Sequence, residues 1–128
     1  MVTPDEQKWH WGEGNKYSME AMKALLLLNG GGALALLAFF GNRAKMLTTV
    51  STEAIDWSLI GFSVGTFSSV ILFVFAYLTQ LNYGNVGTEG RSVRNWWHYV
   101  AYFSLSTALL GFFAGIWFAR LAVVAALT

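Results

Sequence analysis

Residues 101–126 read AYFSLSTALLGFFAGIWFARLAVVAA, with Ala101, Ser104, Ala108, Gly111, Gly115, Ala119, Ala122 and Ala126 recurring at every third or fourth place. At 100° per residue these side chains fall within about 80° of one another on an α-helix. The residues between them are mostly bulky and apolar, so one face of the helix is stripped of bulk. Lipid tails are as apolar as leucine, and pairing two helices inside a bilayer gains little from hydrophobic burial. Close backbone approach, dispersion and polar contacts must drive association instead, and small side chains permit that approach. A mean spacing of about 3.6 residues favours nearly straight helices meeting at a shallow angle.

The rest of the chain is of the same kind. Of its 128 residues 55% are hydrophobic and 12% charged, against roughly 25% charged in soluble domains. Three segments, 20–41, 57–81 and 96–127, meet the requirement of about 20 mostly apolar residues for a bilayer-spanning helix. The expected fold is a single all-α membrane domain of three transmembrane helices. A secretory signal is not expected, because Asp5 and Glu6 precede Lys8 where a signal opens with positive charge directly before a short apolar core. The absence of cysteine excludes disulfides, thiolate metal sites and cysteine lipidation. A net charge of +1 gives no bulk attraction to nucleic acid.

Thr3-Pro4-Asp5-Glu6 has the form of a helix start, with a threonine cap, proline at the first helical position and a glutamate that completes a capping box. Residues 1–16 are therefore expected to form a short amphipathic interfacial helix carrying Trp9, His10 and Trp11, ended or bent by Gly12 and Gly14. Connections are expected over 42–56 and 82–96. Trp57, Tyr77 and Tyr83 bracket the second span, and Trp96, Trp97 and Trp117 the third, as rings of an aromatic belt. The third helix is expected to be long and unbroken, some 45 Å at 1.5 Å per residue, with Arg120 snorkelling to the interface. Lys8, Lys16, Lys23, Arg91 and Arg94 on one side outnumber Arg43, Lys45 and Arg120 on the other. The positive-inside rule then places the N-terminus in the cytoplasm.

The second span has its own seam. Ser58, Gly61, Gly65, Ser68, Ser69 and Ala76 share an arc of about 100°, with Leu72 among them. Three helices bury only part of such faces, so Gly61 and Gly65 with Ala101, Ser104, Ala108, Gly111, Gly115 and Ala119 are expected to join copies of the chain into a homo-oligomer.

In the first span LLLLNGGGALALL, residues 25–37, places Asn29 and three glycines where a stable helix would carry none. Ala24, Gly31, Ala35 and Ala38 share one face and are expected to make another small-residue contact, while Gly30 and Gly32 point elsewhere and soften the helix. Asn29 is a buried amide that must find partners. On a neighbouring helix it is a structural clasp; in water along a central path it is a pore-lining or gating residue, with Gly31, Ser68 and Ser69 beside it.

Other motifs are weaker. His98, between aromatic rings, reads as an interfacial residue rather than a haem or metal ligand, and His10 has no metal-ligand spacing around it. Gly84, Gly87 and Gly90 before Arg91 and Arg94 lack the strand-to-helix context of a phosphate loop. With Trp96 and Trp97 these arginines are candidates for an anionic ligand or lipid headgroups. No serine sits in a nucleophile elbow. The span centres hold no Asp, Glu, His or Lys, which disfavours a proton-coupled carrier and leaves a passive pore. Neither catalysis nor a metal or cofactor is expected.

In span count and small-residue richness the chain resembles phage holins and the membrane effectors of bacterial anti-phage systems. That resemblance implies assembly into a pore, with the lipid bilayer and copies of the same chain as partners and a regulatory partner or ligand as gate. It assigns no residue roles. The alternative is a non-enzymatic accessory subunit whose seams bind a different membrane protein.

Overall fold

The computed structural model describes residues 4–42, 48–84 and 96–127. They form three helices, α1 (Pro4–Gly41), α2 (Thr49–Gly84) and α3 (Trp97–Leu127). Each holds a segment long and apolar enough to cross a membrane: Gly12–Gly41, Thr49–Thr79 and Trp97–Leu127.

The separate interfacial helix expected over 1–16 is not present. α1 runs for 38 residues without interruption, and Gly12 and Gly14 lie inside it. Each glycine costs about 1 kcal/mol relative to alanine in a helix, less than the penalty of ending one helix and nucleating another. The ion pair Lys16–Glu13 at 2.6 Å spans Gly14, and Lys23–Glu20 at 2.8 Å follows beyond it, while Asp5 and Glu6 complement the positive end of the helix dipole. α3, expected to be the long helix, is unbroken over 31 residues but is the shortest of the three.

The first connection is shorter than 42–56, because α2 starts at Thr49. Thr48 and Ser51 cap it reciprocally: the Ser51 amide donates to Thr48 Oγ1 at 3.1 Å, and the Thr48 amide donates to Ser51 Oγ at 2.8 Å. Serine stands here in place of the glutamate or glutamine usual at the third helical position of a capping box. The second connection also shrinks at its start, since α2 continues to Gly84.

The helices form an up-down-up bundle. Leu36 and Phe40 of α1 meet Ala54 and Ile55 of α2 and Ala122 of α3 at one end. Toward the other, Leu25 packs with Leu72 and Ala108. α2 and α3 contact each other along most of their length, whereas α1 is held more loosely, least of all to α3. Trp57 stacks on Phe118 with ring centroids 6.2 Å apart, and Trp97 lies 5.4 Å from Phe75. Twenty residues separate Trp97 from Trp117, about 30 Å along a helix and close to the thickness of a hydrocarbon core.

Candidate functional site

The centre of the bundle is built on glycine. A side chain added at Gly111 would lie 2.7 Å from the Gly61 carbonyl oxygen and 2.8 Å from the Gly65 nitrogen; one added at Gly61 would lie 2.8 Å from the Gly115 nitrogen. The α2 and α3 backbones therefore touch directly. Ser58 reinforces the crossing by donating a 2.7 Å hydrogen bond to the Gly115 carbonyl. Both predicted seams face each other within a single chain: Ser58, Gly65, Ser68 and Ser69 are buried opposite Ser104, Ala108, Gly111 and Gly115, with Gly61, Ala101 and Ala119 half-buried at the contact.

Phe62 fills the gap that the glycines leave beside this crossing. It is buried, and its ring occupies the positions where Gly32 of α1 and Gly115 of α3 would carry side chains, at 2.5 and 2.7 Å. Gly32, expected to lie off the small-residue contact face and to soften the helix, is thus the glycine of the 30–32 triplet that packing requires. Gly30 and Gly31 have nothing within 4 Å.

The buried face of α1 is Leu25, Asn29, Leu36 and Phe40, while the expected contact face, Ala24, Gly31, Ala35 and Ala38, lies exposed. The two faces are about 140° apart around the helix.

Asn29 sits where all three helices meet and is completely buried. Its Nδ2 donates to the Leu25 carbonyl at 3.0 Å within α1 and to the Ala108 carbonyl of α3 at 3.3 Å. Both acceptors are carbonyls, which fixes the amide orientation, since the opposite flip would set oxygen against oxygen. Oδ1 then faces α2, where it has no hydrogen-bond partner. It presses on Gly65, at the point where any larger residue would place a side chain.

Of the pore-lining candidates, Asn29, Ser68 and Ser69 are inside the protomer and Gly31 is outside it. The Ser69 hydroxyl returns to the Gly65 carbonyl of its own helix at 2.8 Å. Trp96, exposed, and Trp97, half-buried, lie together with ring centroids 4.1 Å apart. Arg91 and Arg94 lie outside the described residues, as does the side chain of His10. Among the described residues no group of three His, Cys, Asp or Glu side chains is placed to hold a metal ion.

Sequence reading passed over a cleft. Among the three helices, on the Trp97 side of Asn29, lies a cavity of about 620 Å³ lined by Ser18, Met22, Leu72, Thr79, His98 and Ala101 among others. A shallower groove of about 460 Å³ runs along Gly32, Ala35, Ile116 and Arg120 on the other side. The Asn29–Ala108 hydrogen bond bridges α1 and α3 between the two.

Three apolar helices closed on one another by small residues fit an α-helical membrane protein. No protein family, curated protein or solved structure matches this chain.

Proposed function

We propose that the chain is a non-enzymatic, homo-oligomeric channel or pore-forming protein of the bacterial inner membrane, with its N-terminus in the cytoplasm, and that the described arrangement is its closed protomer. The observation that carries this reading is the half-satisfied amide of Asn29, shut inside the bundle on its most loosely held helix. A buried polar atom without a partner costs about 1–3 kcal/mol, so part of the cost of moving α1 away is already present in the closed state. Rolling α1 outward brings Asn29 to water, satisfies Oδ1 and opens a polar path past Ser68 and Ser69.

Copies join through α1. With the seams of α2 and α3 facing each other, the small-residue face still open is Ala24, Gly31, Ala35 and Ala38, which permits close approach of another helix in lipid. The processes that such a pore would serve are those implied by the resemblance, anti-phage defence or holin-like lysis, with gating by a ligand or partner.

Flux of ions or dye through liposomes containing only this protein tests the proposal. Wild type is expected to leak in a regulated or sporadic manner. Asn29→Asp, which forces a charge into the dry centre of the bundle, is expected to leak constitutively. Asn29→Leu is expected to stay closed at unchanged oligomeric size. Gly31→Leu is expected to lose both oligomer and flux while remaining helical.

A second reading, an accessory subunit of a larger membrane complex, is favoured by one observation. The seams close within one chain, so a protomer is complete without copies of itself. Absence of flux at any protein density, with a lone protomer co-purifying with a different polypeptide, would establish this reading and remove the first.

A further inference from the structure

We propose that the cleft between residues 18–22 of α1, 72–79 of α2 and 98–101 of α3 binds an uncharged amphiphile whose head carries a carbonyl or hydroxyl oxygen, as a quinone ring or the acyl-ester region of a glycerolipid does. This assignment is independent of the channel reading.

Size comes first. The cavity of about 620 Å³ lies in the usual range for small-molecule sites, roughly 300–1,000 Å³. Met22, Leu72 and Ala101 give it apolar walls, and the exposed Tyr102 is among its lining residues. These walls suit an apolar body.

Depth sets the polarity of the head. The cleft lies level with Trp96, Trp97 and Tyr77, the rings that mark the interface at this end of the bundle. An occupant held there has its polar end at the depth where ester and carbonyl groups meet hydrocarbon.

Thr79 indicates which chemistry is missing. It lines the cavity at 7% exposure, and its Oγ1 has no hydrogen-bond partner among the described residues. By contrast, the hydroxyls of Ser58, Thr66, Ser69, Ser106 and Thr107 each donate to a backbone carbonyl. The Thr79 oxygen is itself shut off from solvent, so the donor reaches the cleft only after a χ1 step, which exchanges hydroxyl and methyl of a helical threonine. His98 and Ser18 add polar groups at the rim.

Among the described residues no Lys or Arg lines the cleft, and Lys16 and Lys23 on the flanking turns of α1 are each bonded to a carboxylate one turn away, Glu13 and Glu20. A neutral oxygen acceptor matches what remains.

The test uses the full chain in nanodiscs, with decylubiquinone as a quenching probe of tryptophan fluorescence and dioctanoylglycerol as competitor. Saturable quenching is expected, abolished by Ala101→Phe, which fills the cleft, and weakened about five-fold by Thr79→Val, which removes one hydrogen bond at constant shape. Thr79→Val is also expected to raise the melting temperature of the unliganded protein, because it deletes an unpartnered buried hydroxyl. That signature keeps the test valid if Ala101→Phe fails to fold. Competition by dioctanoylglycerol assigns the site to glycerolipid esters as well; its absence restricts the site to quinone-type rings. Quenching that rises linearly with probe and is identical in wild type, Thr79→Val and the outward-facing control Ser106→Ala is simple partition into lipid and overturns the proposal, even where Thr79→Val is stabilising, since water alone would then satisfy the hydroxyl.

Discussion

The side-chain amide of Asn29 occupies the space in which any residue but glycine at position 65 would carry its side chain. α1 and α2 are thereby interlocked by a polar group on one helix and the lack of a side chain on the other. Asn29 has no free direction to retreat, being fully buried and bonded through Nδ2 to Leu25 and Ala108. Gly65→Ala is accordingly expected to destabilise the bundle by about 1–3 kcal/mol, the usual cost of overpacking. Asn29→Ala in the same chain should recover most of that loss. Thermal unfolding of the two single variants and the double variant in detergent measures the coupling, and simple additivity would show that the two residues do not meet.

The three glycines of residues 30–32 are not equivalent. Gly31→Ala meets nothing within 4 Å and is expected to be neutral or stabilising, by up to about 1 kcal/mol, through helix propensity. Gly32→Ala runs into the Phe62 ring at 2.5 Å and is expected to destabilise. Melting temperatures that moved alike would contradict the packing of Phe62 between α1 and α3.

At the α2–α3 crossing a methyl group has only backbone to displace. Gly111→Ala meets the Gly61 carbonyl and the Gly65 nitrogen, so the helices must separate as rigid bodies. The expected loss is about 1–3 kcal/mol, larger than for Ser58→Ala, because interhelical hydrogen bonds in a membrane average about 0.6 kcal/mol. Unfolding of both variants by denaturant in mixed micelles ranks them, and the reverse order would mean that the hydroxyl rather than the close approach holds the pair together.

Thr48→Ala removes one half of the reciprocal cap at the start of α2, in which Thr48 Oγ1 accepts from the Ser51 amide at 3.1 Å. A loss of about 1 kcal/mol is expected. Amide exchange should rise over the first turn of α2 and not at the glycine crossing. Equal exchange in both places would make the cap a global rather than a local element.

The sequence by itself determined that three helices form and which faces of α2 and α3 are small. Long apolar runs have no alternative in lipid that satisfies their backbone groups, and a periodicity of 3.6 is a property of the chain alone. The seam of Ala101, Ser104, Ala108, Gly111 and Gly115 was legible for that reason, as was the need of Asn29 for partners. The partner of each face was not legible. Small residues on α1 at Ala24, Gly31, Ala35 and Ala38 look like a contact by the same rule, yet the bundle buries a face turned well away from them, because Asn29 finds acceptors there and Gly32 admits the Phe62 ring. The cleft beside Thr79 was invisible for a related reason, being a gap between three helices rather than a pattern on any one of them. Even the continuity of α1 through Gly12 and Gly14 depends on cooperativity along the whole helix. Helical periodicity can identify a surface; only the shapes and polar groups of the other helices decide what that surface meets.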